Sequence, residues 1–147
     1  MAARFVLVEF NNFITTANLE FEIPTGDNDF SSDELVIEPG LLTWIDLGNG
    51  FTLNTAIGGE IGTRSEEFGV FLDAALIKDL GGPIALTFES RNEISLSGDE
   101  RGEIESEATL GAIYRFSNST SIRAGWSFPI TNSDFNSGAI LSYNYSF

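Results

Sequence analysis

A chain of 147 residues with 22 acidic and 7 basic side chains carries a formal net charge of −15, and at that length one domain is expected. Such an excess of carboxylates excludes a nucleic-acid-binding surface, which needs clustered Lys and Arg on phosphates. With no Cys and no His, disulfides, thiolate chemistry, the usual zinc ligand and Ser-His or Cys-His nucleophile pairs are excluded too.

The first dozen residues fit poorly with the rest of the chain. Phe5, Leu7 and Glu9 alternate with Val6, Val8 and Phe10, so neither face is polar, and Asn11-Asn12 interrupts the run. Residues 1–12 therefore read either as an N-terminal extension of the first strand, bulged at Asn11-Asn12, or as a strand left over from a larger barrel. From about Phe13 the period-two pattern of half-buried strands is almost continuous, and helical periodicity is nowhere persuasive. Ala17, Leu19, Phe21 and Ile23 alternate with Asn18, Glu20 and Glu22, up to Pro24-Thr25-Gly26-Asp27. Leu35, Ile37, Leu41, Ile45 and Leu47 oppose Glu38, Gly40, Trp44 and Asp46, ending at the tight hairpin signal Gly48-Asn49-Gly50.

Phe51, Leu53, Ile57 and Ile61 then alternate with Thr52, Asn54, Gly58 and Glu60. Phe68, Val70, Leu72, Ala74 and Leu76 oppose Gly69, Phe71, Asp73 and Ala75 as far as the turn at 78–83, after which Ile84, Leu86 and Phe88 face away from Thr87, Glu89, Arg91 and Glu93. Beyond an acidic loop, Ala108, Leu110, Ala112, Tyr114 and Phe116 oppose Glu107, Thr109, Gly111 and Arg115. Ile122, Ala124, Trp126, Phe128 and Ile130 oppose Ser121, Arg123, Gly125 and Ser127. The last stretch sets Ala139, Leu141, Tyr143, Tyr145 and Phe147 against Gly138, Ile140, Ser142, Asn144 and Ser146.

Eight strands are thus expected over 13–147, each close to the roughly 9–11 residues that cross a bilayer at a tilt. Loops around 25–33, 62–67, 97–105 and 131–137 are polar and mostly longer, whereas the connections at 48–50, 78–83 and 117–120 are tight. That asymmetry belongs to outer-membrane barrels. It places both termini at the short-turn, periplasmic end. Phe51, Phe68, Tyr114, Phe116, Trp126 and Phe128 gather toward strand ends, as interfacial girdles require. The final strand, with Ala139, Leu141, Tyr143, Tyr145 and Phe147 on one face, resembles the C-terminal assembly signal of bacterial outer-membrane β-barrels. Met1-Ala2-Ala3-Arg4 shows no secretory leader, which for such a protein implies the mature chain.

Glu22-Ile23-Pro24-Thr25-Gly26-Asp27, Glu38-Pro39-Gly40-Leu41 with the Gly-Asn-Gly hairpin, and Trp126-Ser127-Phe128-Pro129-Ile130 with the closing strand are similar to motifs of the outer-membrane transporter family associated with the meta-pathway of phenol degradation. The resemblance implies passive transport of small molecules.

The fold expected is all-β: an antiparallel up-and-down transmembrane β-barrel of eight strands. On this register Glu20, Glu22, Glu38, Glu60, Asp73, Glu89, Arg91, Glu107, Arg115 and Arg123 face the lumen. They are either a carboxylate-rich pore lining or an ion-pair network plugging a narrow barrel, and the plug is preferred. Asp27, Asp29, Ser31, Asp33 and Glu38 have calcium-loop-like spacing, but Ser32 stands where the sharp-turn Gly is required. Asp99, Glu100, Glu103, Glu105 and Glu107 read as a solvated acidic loop. No metal, cofactor or catalytic set is expected. The partners expected are the lipid bilayer, lipopolysaccharide and the barrel-assembly machinery. The function expected is a small, non-enzymatic outer-membrane protein, structural or adhesive. A channel or transporter, alone or as part of a larger barrel, is the alternative, and a soluble ligand-carrying β-barrel the second.

Overall fold

A computed structural model describes residues 1–24, 34–63, 68–98, 101–131 and 137–145. Its regular elements are nine strands in one meandering sheet: β1 (Ala2–Phe10), β2 (Phe13–Glu22), β3 (Val36–Gly48), β4 (Phe51–Gly62), β5 (Phe68–Asp79), β6 (Ile84–Ser95), β7 (Ile104–Ser117), β8 (Thr120–Pro129) and β9 (Gly138–Tyr145). Each pairs antiparallel with the next in chain order, and among the described residues no pairing joins β9 to β1. The sheet is therefore open. Because nine is odd, its two edge strands run in the same direction.

The expected count of eight omits β1, and the register explains why. Val6 pairs with Thr16 but Val8 with Thr15, so Leu7 is an extra residue in a bulge. Asn11-Asn12 is the hairpin turn between β1 and β2, not the irregularity. Once the parity jumps at Leu7, Ala3, Phe5, Val8 and Phe10 share one face, and Arg4, Val6 and Glu9 share the other. Arg4 Nε donates to Asn18 Oδ1 across the pair at 3.0 Å. A ninth strand also moves one terminus. β1 starts at the end where the long loops lie, and Met1 N donates to the Phe21 carbonyl there at 2.6 Å, so only the end of β9 lies at the short-turn end.

One face carries Phe13, Ile45, Leu53, Leu76, Phe88, Leu110 and Trp126 in a single cross-strand row, and the opposite face carries Thr16, Leu42, Ala56, Asp73, Arg91 and Glu107 in another. The apolar face is the outer one. Leu110 and Trp126 are 55% and 53% exposed, whereas Thr109 and Ser127 on the other face are 5% and 2% exposed.

Residue size helps account for the curl toward the polar side. That face is lined by small residues where strands bend closest. A Cβ on Gly111 would lie 2.8 Å from Thr87 Oγ1 and 2.9 Å from the Ala124 carbonyl oxygen. At Gly58 it would meet the Phe71 ring at 2.5 Å, because that ring lies over Gly58. Bulk on the convex side and glycine notches on the concave side favour curvature.

Candidate functional site: the concave polar face

All ten residues assigned from sequence to a polar face share the concave face. Glu20 pairs with Glu38, with Glu22 one step of the same parity further along β2. Glu60 pairs with Gly69 at the same end of the sheet. Asp73, Arg91 and Glu107 form a continuous cross-strand row on β5, β6 and β7, and Glu89 lies two residues from Arg91. Arg115 and Arg123 follow on β7 and β8.

These groups are not equivalent. Arg123 Nη2 donates to Glu89 Oε2 across the width of β7 at 2.5 Å, with both side chains about three-quarters buried. Arg115 Nη1 donates to Asp79 Oδ2 at 2.7 Å nearer the short-turn rim, where both are more exposed. These are the ion pairs between described residues. Arg91 sits in register between the carboxylates of Asp73 and Glu107, so a guanidinium interrupts an otherwise acidic row and lowers its self-repulsion. The Thr109 and Ser127 hydroxyls are hydrogen-bonded to each other beneath this layer.

A cavity of about 540 Å³ opens over the middle of the face and is lined from β2 through β9. One arc of its wall is charged, with Asp73, Glu89, Arg91, Glu107 and Arg123 on β5 to β8. The other is apolar, with Ile14 on β2, Leu42 and Trp44 on β3 and Ile140 on β9. A second cavity of about 210 Å³ lies toward the long-loop end and is lined by Glu34, Glu60 and Glu93 among others.

Sequence reasoning leaves several members of this face out of the site. Glu93 pairs with Glu105 on the concave side. Glu93 carries the parity of Arg91 and is readable. Glu105 falls in an expected loop because β7 begins earlier than its apolar alternation does. Trp44, Asn54 and Thr109 have the right parity, but nothing local marks them as cavity-lining.

On the convex face, Phe51 and Phe68 open β4 and β5. Tyr114 and Phe116 stack edge-to-face at 4.9 Å near the end of β7. Trp126 and Phe128 lie near the end of β8. Lys78 Nζ sits 4.1 Å from the Phe51 ring centroid and donates to the Asn49 carbonyl. Ala139, Leu141, Tyr143 and Tyr145 share the convex side of β9. Phe147 lies outside the described residues, as do Asp27, Asp29, Ser31, Asp33, Asp99 and Glu100. Among the described residues no cluster of three or more acidic side chains is arranged to hold a metal ion. No family model, curated protein or solved structure matches the chain.

Proposed function

We propose that these nine strands form part of the wall of a bacterial outer-membrane β-barrel, with the convex face against lipid and the concave face bounding a hydrated, acidic passage for small solutes. The observation that carries this reading is inverted burial. Large apolar side chains on every strand are exposed, while hydroxyls and charged groups occupy the enclosed side. A protein folded in water arranges its faces the other way round, and so does a soluble ligand-carrying barrel, which keeps its apolar stripe inside. Lipid removes the penalty on the exposed face, provided that backbone groups are paired within the sheet.

One feature favours a passage over the plugged, structural barrel preferred from sequence. The middle of the face holds a cavity, space that a plug of interior side chains would fill. A carboxylate-rich lining favours cations. The channel reading also accommodates the open sheet. A ring with every neighbour antiparallel needs an even number of strands, so an odd number of further strands would stand between β9 and β1. Assembly in the outer membrane with periplasmic short turns, lipopolysaccharide outside, belongs to the same proposal.

The test is folding with and without detergent micelles, read by far-ultraviolet circular dichroism and heat-modifiable gel migration, followed by planar-bilayer conductance. Sheet signal and a migration shift that need detergent, with cation-selective current, are the expected results. Cooperative folding in plain buffer would overturn the membrane assignment. Detergent-dependent folding with a silent bilayer would return the protein to the plugged, structural role.

A further inference from the structure

The mid-face cavity has a feature that a merely wet pore wall does not require. Trp44 and Asn54 are directly paired across β3 and β4. Asp73 pairs with Ala56, two residues along from Asn54, so it sits diagonally from Asn54 on the same face. Directly opposed side chains have Cβ atoms about 4.5–5.5 Å apart and diagonal ones about 7–8 Å. An indole, an amide and a carboxylate therefore converge on one small area of wall. Among the described residues Asn54 Oδ1 and Asp73 Oδ1 are both buried acceptors with no hydrogen-bond donor; Thr87 Oγ1 and the Nε donor of Arg123 are the other unpartnered buried side-chain atoms. Buried acceptors are ordinarily satisfied, and two neighbouring exceptions facing one cavity call for a donor.

The rest of the lining narrows what that donor belongs to. Arg123 is engaged by Glu89, which leaves Asp73 and Glu107 around the single guanidinium of Arg91 and an uncompensated negative charge in the cavity. Ile14 and Leu42 supply an apolar arc beside Trp44, and Ile140 lines the cavity from β9 at the other edge of the sheet. A cation with an N–H donor satisfies the acceptors, balances the charge and can rest on the indole face, while an apolar body covers the arc. A bare inorganic cation can coordinate the two oxygens but leaves Ile14, Leu42 and the Trp44 indole uncovered, and anions meet excess carboxylate.

We propose that this cavity is a recognition site for a small organic cation, a primary ammonium on an apolar or aromatic body, held by Asp73 and Asn54 with its body against Trp44 and Leu42. This rests on the reading of the concave face as a barrel interior and names the solute class for that passage.

Trp44 and Trp126 are the two tryptophans of the chain, so a Trp126→Phe protein reports on the cavity through Trp44 alone. The full chain carrying this change, folded in detergent and checked by gel migration, is titrated with 2-phenylethylammonium, with neutral 2-phenylethanol and with phenylacetate. The expected result is a saturable change in Trp44 emission with the ammonium compound, weaker by about tenfold or more with the alcohol, and no saturation with the carboxylate. Asp73→Asn is expected to weaken ammonium binding by about tenfold, whereas Glu103→Gln, at the exposed position just before β7, leaves it within about twofold. Should Asp73→Asn not fold, Asn54→Ala and the three-probe series on the parent decide the matter. Equal response to phenylacetate, no saturation with the ammonium compound, or unchanged binding in folded Asp73→Asn overturns the proposal while detergent-dependent folding keeps the barrel reading. Folding in plain buffer overturns the barrel reading itself.

Discussion

On the β6–β8 arc the concave side is closed over. Ala85, Thr87, Thr109 and Ser127 are buried there, and Arg123 reaches across β7 to Glu89. At the other edge every residue of β1 is exposed, including Phe5, Val8 and Phe10. Both regions carry large apolar side chains on the convex face, although β1, with nine residues and a bulge at Leu7, is shorter and less regular than β6 to β8. They also differ in having two neighbours or one, and in the glycine pair Gly111 and Gly125 that lets β7 and β8 approach their surroundings closely. Burial in this protein thus follows curvature and neighbour count, not hydrophobicity. Small residues, the alanines Ala85 and Ala108 and the hydroxyl-bearing Ser127, Thr87 and Thr109, are among its most enclosed.

The largest effect that would test this contrast is a charge on the convex side. If the proposed membrane barrel is right, Leu110→Arg, at the centre of β7, destabilises the protein folded in lipid vesicles by about 2–4 kcal/mol, read from denaturant titration. Phe5→Arg on β1 is expected to cost less than half as much, because a strand with an open edge lets the guanidinium reach water. Equal losses at the two positions would break the comparison and put a second neighbour on β1.

Next in size is the loss of a notch. Gly111→Val forces a side chain against Thr87 and the Ala124 carbonyl and is expected to cost about 1–3 kcal/mol. Gly138→Val at the start of β9, where a Cβ would meet nothing within 4 Å, is expected to stay within about 0.5 kcal/mol. A similar cost at both would mean that the curl of β6–β8 does not depend on those glycines.

The smallest effects separate the two ion pairs. Arg123→Ala strands the partly buried Glu89 carboxylate and is expected to cost about 1–2 kcal/mol, below the range for fully buried pairs because some solvent screening remains. Arg115→Ala at the more exposed rim should scarcely move the unfolding midpoint, and what change there is should vanish at high salt. A salt-sensitive loss at Arg123 would place that pair in open water and shrink the enclosed region.

Much of this architecture is legible residue by residue. Glu20, Glu38, Asp73, Arg91, Glu107 and Arg123 can be placed on one face by counting in twos, since a strand sends alternate side chains to opposite sides. The count fails where the backbone breaks the rule. The bulge at Leu7 flips the parity inside β1 and hides a strand whose two faces are in fact distinct. Glu105 escapes the count because β7 continues past its apolar pattern into an acidic stretch. The indole, amide and carboxylate of Trp44, Asn54 and Asp73 come from three strands, and no local signal links them.

What the amino-acid sequence determined by itself is the number of apolar stripes after Phe13, the turns between them and the sign of the charge on the polar side, all properties of neighbours along one chain. The tertiary structure decided which side is enclosed. The same alternation fits a sheet curled either way, and choosing between them takes contacts between strands: glycine notches that admit Phe71 and Thr87 on the concave side, and bulky residues that splay the convex side. It also decided that nine strands leave the sheet open, because closure depends on the register and curvature of all the pairs together, which no single strand encodes.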